Sequence, residues 1–421
     1  MGRCAPVVVI RGTIQLKPAI NSGRAVRVAG RVHRFSYAIR NIVSEARAVE
    51  ARGMRVRYLN IGDPVAFGFK TPPHLVEAAT AAMRDGHNGY LASSGIASAR
   101  EAVAADYRDR GLPISPERVL ITTGTSEGID LALNALVNEG EEVLVPSPTY
   151  PLYTAVLAKI GAQPRYYRTD PNRDWLPDLD HLRTLVTDRT RVLVVIDPNN
   201  PTGAVYPAST RRALIDFAEQ HELTILADEV YGDLGFEGSV PLLGTLDPDA
   251  PIISLSSLSK AYLAPGWRAG WMVLGATPRL NDALAAMKKL ADGRLCSPGP
   301  MQYAVTAALT GDRSHQVVFR KALAERARVT TESLNAIPGM RCVAPRAAFY
   351  ALPSVSLPPG RTDEDYVLAL LRETGILCVH GSGFGTAPEQ GYFRIVFLAD
   401  PGELAAIYAD MGAFTAEYLR T

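Results

Sequence analysis

The hydrophobic pattern changes its period along the chain. Between residues 119 and 274, short apolar and β-branched runs recur at Val119–Thr122, Glu142–Val145, Arg191–Ile196, Leu223–Ala227, Pro251–Leu255 and Trp271–Leu274. Stretches with helical spacing lie between several of them. Glu127–Val137 places Ile129, Leu133, Leu136 and Val137 on one face, and Ser209–His221 reads the same way. Strands that are almost continuously apolar must be covered on both faces, so the alternation predicts a mostly parallel, doubly wound sheet. Upstream, Ile39, Val43, Ala46 and Val49 predict a helix over Ser36–Gly53, and a second helix spans Pro73–Arg84. After about residue 300 the pattern shifts to longer helices, strands near Phe349–Ala351 and Tyr392–Leu398, and a C-terminal helix. The expected fold class is therefore α/β, with residues 73–314 forming a large domain. Residues 36–72 and 315–421 would form a smaller α+β domain. Residues 1–35 read as an N-terminal extension or arm, because residues 1–32 are Arg- and Val-rich without periodicity.

Composition narrows the function classes. The 421 residues carry 44 Lys plus Arg against 43 Asp plus Glu, a formal net charge of +1. No basic excess is present to release counterions from nucleic acid or to dock on an anionic membrane. A hydrophobic share of 47% with 21% charged residues is ordinary for a globular chain and excludes a disordered one. The cysteines at 4, 296, 342 and 378 form no C-x-x-C pair and the histidines no H-E-x-x-H, so neither a disulfide framework nor a metal site is expected. The apolar run Pro6–Ile10 is too short for a signal-peptide core. A cytoplasmic protein without nucleic-acid or membrane partners is the expectation.

A doubly wound sheet binds its ligand beyond the carboxyl ends of its strands, and the polar residues gather there. Thr123-Gly124-Thr125-Ser126 follows Val119–Thr122 and opens a helix; Asp197-Pro198-Asn199-Asn200-Pro201-Thr202-Gly203 follows Arg191–Ile196. Asp228-Glu229-Val230-Tyr231 follows Leu223–Ala227, and Ser256-Ser257-Leu258-Ser259-Lys260 follows Pro251–Leu255, with Gly266-Trp267-Arg268-Ala269-Gly270 beyond. Singly, each is unremarkable as an N-cap, a turn or a surface lysine. Together they place a phosphate-ready helix start, a carboxylate, a tyrosine, an asparagine, a lysine and an arginine on one rim. Nicotinamide binding accounts for this poorly, since no G-x-G-x-x-G follows a strand. Pyridoxal phosphate, which needs a phosphate site, a lysine amine and a ring-facing carboxylate, accounts for it better.

These segments, in this order and with the late Phe393-Arg394-Ile395, resemble the class I/II, fold-type I aminotransferases. The resemblance runs from about Tyr37 to the C-terminus. It is closest to the bacterial and archaeal alanine (glutamate–pyruvate) aminotransferases. Four segments carry that narrower likeness: Leu59-Asn60-Ile61-Gly62-Asp63-Pro64, Pro148-Thr149-Tyr150-Pro151-Leu152-Tyr153, Arg294-Leu295-Cys296 and Val379-His380-Gly381-Ser382-Gly383-Phe384. The resemblance implies the fold-type I transferase fold, pyridoxal 5′-phosphate as cofactor, and alanine with 2-oxoglutarate as the exchanged pair.

It also implies roles. Lys260 would form the internal aldimine and then move the proton between substrate Cα and the cofactor. Asp228 would keep the pyridine nitrogen protonated. Tyr231 and Asn200 would bond the phenolic oxygen, and Tyr150 would stack on the ring. Thr125, Ser126, Ser257 and Arg268 would hold the phosphate, joined by Tyr90 from a neighbouring subunit of a homodimer. Arg394 would take the substrate α-carboxylate as a fork, and Gly62 would let the backbone approach it. Tyr37 and Arg40 match substrate-side residues, with Arg40 the candidate for a second carboxylate.

Two departures stand out. Ala347-Ala348 occupies a place where the family usually has Gly-Ala or Gly-Gly before Phe-Tyr, so an added methyl could narrow the pocket or shift the backbone. Asp197 replaces a usual asparagine. One alternative keeps the fold and cofactor but acts on another amino acid, as another transaminase, a β-lyase or an oxidase. A second, a ligand-sensing regulator, needs a winged-helix domain that the roughly 32 residues before the match cannot supply.

Overall fold

Apolar runs become strands where both faces of the sheet are covered. The computed structural model describes residues 26–34 and 42–420. After a short strand β1 (Arg57–Tyr58), eight strands form one sheet: β2 (Val119–Thr122), β3 (Glu142–Ser147), β4 (Gln163–Asp170), β5 (Leu176–Pro177), β6 (Thr190–Ile196), β7 (Thr224–Asp228), β8 (Ile252–Ser257) and β9 (Gly270–Leu274). Their spatial order is β2-β9-β8-β7-β6-β3-β4-β5. The five strands from β8 across to β4 run parallel, and β2, β9 and β5 join antiparallel. Nearly every residue of β2, β3, β6, β8 and β9 is buried, as expected of strands sandwiched between helices.

The six apolar runs match strands to within about two residues. Two strands, β4 and β5, have no counterpart among those runs. Strand β4 (QPRYYRTD) lies towards the sheet edge, with much of its length exposed or half-buried, so it carries polar side chains and lacks the apolar signature.

The helices up to residue 335 are α1 (Val43–Ala51), α2 (Pro73–Arg84), α3 (Ala97–Asp109), α4 (Thr125–Leu136), α5 (Pro151–Ile160), α6 (Leu179–Arg183), α7 (Ala208–Gln220), α8 (Asn281–Gly293), α9 (Gly299–Thr310) and α10 (Ser314–Asn335), of which α1 and α10 pack against the late segments. The helix expected over 36–53 is seen from Val43; residues 36–41 lie outside the described residues. Downstream come β10 (Met340–Arg341), β11 (Tyr350–Ala351), β12 (Ser354–Val355), α11 (Asp363–Thr374), β13 (Ile376–Leu377), β14 (Val379–His380), β15 (Phe393–Val396) and α12 (Pro401–Tyr418). Strands β11, β15 and β14 form a three-stranded sheet, while β1 pairs with β13. An early segment is thus stitched to the late ones, and Arg372 of α11 pairs with Glu45 of α1.

The fold shows what surrounds both departures from the family pattern. Asp197 accepts from Arg211 Nε at 2.6 Å and from the Tyr206 amide at 3.1 Å, and both partners of the ion pair are buried. Burial pushes the Asp197 carboxyl up, against the pull of Arg211. An asparagine here would leave the guanidinium without its counter-charge. Ala347 is fully buried, its amide donating to the Gly203 carbonyl at 3.1 Å and its backbone bridging Gly235, so its methyl does not face the cavity described below. Its neighbour Ala348 adopts φ +59°, a left-handed conformation that disfavours a β-carbon.

Removing one partner of a buried ion pair leaves an uncompensated charge, at a cost of about 3–5 kcal/mol. Asp197→Asn is expected to destabilise the protein by about 3 kcal/mol in urea unfolding. A loss below about 1 kcal/mol would show that Arg211 is satisfied by its other partner, the Pro241 carbonyl.

Candidate active site

The carboxyl ends of β6, β7 and β8 open into a cavity of about 530 Å³. Eleven of the fourteen residues singled out from sequence line it: Gly62, Thr125, Ser126, Tyr150, Asn200, Asp228, Tyr231, Ser257, Lys260, Arg268 and Arg394. Tyr90 does not; it stands on the surface with 84% of its area exposed. Tyr37 and Arg40 lie outside the described residues.

One end of the cavity is built for an anion. Thr125 and Ser126 begin α4, so their amides belong to the unsatisfied first turn of a helix. Gly124 precedes them at φ +73°, and a β-carbon there would stand 2.4 Å from Arg268 Nη2. The Thr125 hydroxyl is buried with no hydrogen-bond partner among the described residues. Arg268 donates to the Pro265 and Thr123 carbonyls at 2.9 and 3.4 Å and forms no ion pair among the described residues. A guanidinium without a counter-charge, an orphaned hydroxyl and a helix N-terminus suit a phosphate.

At the floor, Asp228 ends β7. Its Oδ2 accepts from the Tyr153 hydroxyl at 3.1 Å and its Oδ1 from the Val230 amide at 3.4 Å. Burial raises its carboxyl from 3.8 to about 6, while the Val230 amide, Tyr153 and Lys260 oppose that rise. A cationic ring nitrogen would relieve this desolvation directly. Tyr153 is fully buried on α5, one helical turn after Tyr150. Sequence alone sets Tyr153 within a motif and assigns it no role, because only the fold brings it to Asp228.

The lysine closes a second side. Lys260 Nζ donates to the Gly62 carbonyl at 2.9 Å and lies 5.4 Å from the Phe349 ring and 5.9 Å from that of Tyr231. It makes no ion pair among the described residues, which leaves its amine available for chemistry. Gly62 is required by close approach: a β-carbon there would stand 2.1 Å from the Tyr350 hydroxyl oxygen. The Tyr231 hydroxyl donates to that of Tyr350 at 3.1 Å. Burial first, and then the Tyr350 neighbour, hold the Tyr231 phenol well above its usual range. The sequence does not mark Tyr350 as a site residue, since its adjoining Phe349 gives the run the look of a plain core strand.

The third side is a buried fork. Arg394 on β15 is 2% exposed. Its Nη1 donates to Asn200 Oδ1 at 3.2 Å and its Nη2 to the Asn60 carbonyl at 2.6 Å. Tyr350 and Phe384 cover its faces, each with the ring centroid 4.7 Å away. Such a desolvated guanidinium suits a carboxylate. The arrangement can therefore hold a phosphate, a protonated ring nitrogen and a carboxylate around one lysine amine, and these residues fit pyridoxal phosphate.

The raised Asp228 carboxyl has a pH consequence. The folded chain holds this proton more tightly than the unfolded one. The resulting stability is complete below about pH 4 and is lost as pH rises through about 6. Without cofactor, Asp228→Asn should therefore match the wild type near pH 4 and exceed its stability at pH 8 by about 3 kcal/mol. Thermal unfolding at the two pH values measures this, and an equal difference at both would refute it.

Comparison with known proteins agrees with this geometry. Residues 56–407 match the model of the family "Aminotransferase class I and II". The chain is 36% identical over 390 residues to the glutamate-pyruvate aminotransferase AlaA of Haemophilus influenzae, covering 91% of this chain and 96% of that one. It is 37% identical over 404 residues to an alanine aminotransferase of Mycobacterium tuberculosis, covering 94% of each. Among solved structures, the alanine aminotransferase from Pyrococcus furiosus superposes with a TM-score of 0.90 at 39% identity, covering 93% of this chain and 100% of the other. Sequence, fold and cavity agree, and the chain belongs to the class I and II aminotransferases.

Proposed function

We propose that this aminotransferase exchanges the amino group of alanine with 2-oxoglutarate, giving pyruvate and glutamate by ping-pong half-reactions with pyridoxal 5′-phosphate. The observation that carries the chemistry is the cavity itself: it is lined by a lysine without an acid partner among the described residues, by a buried carboxylate and by an anion-ready helix N-terminus. The substrate pair is supported by the relatives named alanine or glutamate-pyruvate aminotransferase, which match over more than nine-tenths of their own length.

Pyridoxal phosphate bound here supplies an aldehyde and an electron-accepting ring. Thr125, Ser126, Ser257 and Arg268 would hold its phosphate and Tyr150 would pack on its ring. Asp228 would keep a proton on the ring nitrogen, with Tyr153 fixing the carboxylate. Tyr231 and Asn200 would bond the phenolic oxygen. Arg394 would bind the substrate α-carboxylate and so present Cα to Lys260, whose amine would take up the Cα proton and hold it for return. The aromatic cover over Arg394 excludes water from that ion pair.

Among the described residues, the cations lining the cavity are Lys260, Arg268 and Arg394, and each already has a task. Glutamate brings a second carboxylate, which we assign to Arg40, with Tyr37 as a second substrate-side residue. Tyr90, exposed beside the segment that Arg294 anchors through the Ser93 carbonyl, reaches the phosphate of a second subunit in a homodimer. The chain divides into an arm (1–35), a cofactor-holding domain (73–314) and a domain closing over substrate (36–72 with 315–421). No described helix is long and apolar enough to cross a membrane, and a cytoplasmic location is part of the proposal.

Single half-reactions followed by absorbance test this function. Alanine and glutamate should each convert the bound cofactor fully to its amine form, and pyruvate or 2-oxoglutarate should reverse the change. Release of ammonia and pyruvate without any 2-oxo acid would overturn the transaminase assignment. Lys260→Ala should abolish turnover and the visible cofactor band, whereas retained turnover would remove Lys260 from the chemistry. Arg40→Ala should weaken the use of glutamate about ten-fold or more while sparing alanine, and equal losses would exclude it from specificity.

A further inference from the structure

One polar cluster outside the cavity has no part in the chemistry described above. The Ser382 hydroxyl donates to Asp363 Oδ1 at 3.0 Å and stands 2.8 Å from His380 Nδ1, while the Ser382 amide donates to Asp363 Oδ2 at 2.5 Å. A hydroxyl has one proton, so with Asp363 ionised His380 donates from Nδ1. Asp363 is the first residue of α11 and is 1% exposed. The helix does not need its carboxylate as a cap, because Thr362 and Asp365 already form a reciprocal capping box. The carboxylate is spent on the Gly381–Phe384 turn instead.

That turn leads from β14 to the substrate fork. Val379 pairs across the ladder with Arg394 itself, and His380 with Phe393. The chain then turns back and lays Phe384 on the Arg394 guanidinium. The turn is also tied to the large sheet: the Thr149 amide donates to the Phe384 carbonyl, and the Ser147 hydroxyl to the Gly385 carbonyl, both at 2.8 Å. Thr149 adjoins Tyr150, which lines the cavity on the cofactor side. These ties hold the far end of the turn by its backbone, and the bidentate grip of Asp363 fixes its near end at Ser382, two residues before Phe384.

We propose that Asp363 is a positioning residue: through Ser382 it holds Phe384 against Arg394 and so keeps the fork desolvated and aimed for the substrate carboxylate. The inference rests on the assignment of Arg394 to that carboxylate. His380 adds the third bond that stops the Ser382 hydroxyl from rotating away. A cation covered by two rings is worth more to an incoming carboxylate than one open to water, because less water competes for its donors.

The test uses the holoenzyme and its Ser382→Ala, Asp363→Asn and Phe384→Leu variants. KM and kcat for alanine are measured together with the dissociation constant of propanoate, the amino-free counterpart of alanine, by calorimetry. Each variant should raise KM and the propanoate constant about ten-fold, with kcat within about two-fold of wild type. Ser382→Ala added to Phe384→Leu should bring no further loss, since both act through one contact. Should Asp363→Asn not fold, Ser382→Ala decides, because it keeps the amide bond to Asp363. Ser382→Thr, retaining the hydroxyl, should return towards wild-type binding. Lowered thermal stability with unchanged KM and propanoate binding, or additive losses in the double variant, would overturn the proposal. A wild type that transfers no amino group would sink the proposed function instead, and the propanoate titrations would still judge this one.

Discussion

Charge buried in apolar strands is the constraint around which this structure is arranged. Asp228 closes a strand whose last four residues are buried, and Arg394 lies within a strand that is buried throughout. Taking such ions out of water costs several kcal/mol each, so both persist only with dedicated partners. For Asp228 these are a tyrosine hydroxyl and a backbone amide; for Arg394 they include an asparagine, a carbonyl and two aromatic rings. The hydrogen-bond partners of Asp228 are neutral, so its charge is oriented rather than cancelled. A ligand that brings a cation to Asp228 and an anion to Arg394 meets a site already desolvated for it.

The surrounding fold supplies what those two charges require. Parallel strands end together, so β6, β7 and β8 deliver Ile196, Asp228 and Ser257 to one rim. The first turn of α4 and Arg268 place an anion site at one side. The β11–β15–β14 sheet places Tyr350 and Arg394 at the other, and the Asn200 turn joins them. The Gly62 carbonyl meets the Lys260 amine, and the lack of a β-carbon at Gly62 lets Tyr350 stand within reach of Tyr231. Each contact crosses between segments far apart in sequence, so the cavity exists only in the folded chain.

Legibility follows the same physics. Strands buried on both faces are visible in the sequence because a short, near-continuous apolar run closed by turn residues satisfies the needs of a covered strand and little else. The polar strand β4 is not visible, because its place near the sheet edge removes the need for apolar side chains. Cavity residues are legible where they immediately follow strands: Asn200, Asp228, Ser257 and Lys260 can be placed on one rim before any coordinates. Tyr153, Tyr350 and the Asp363–Ser382–His380 cluster cannot. Tyr153 meets Asp228 75 positions away, Tyr231 meets Tyr350 119 positions away, and Ser382 meets Asp363 19 positions away. A tyrosine inside an apolar helix looks the same whether its hydroxyl holds a buried carboxylate or merely packs.

Asp197 shows the division most clearly. In the sequence it is only a replacement for a usual asparagine; in the fold it is the counter-charge of the buried Arg211. The order of apolar runs and the polar residues that end them were enough to determine the α/β sheet and the kind of chemistry on its rim, because period and strand-end position are local properties. Tertiary structure alone decided which hydroxyl orients Asp228, which rings cover Arg394 and why Gly62 has no β-carbon. Those are distances between remote segments, and no local pattern encodes them.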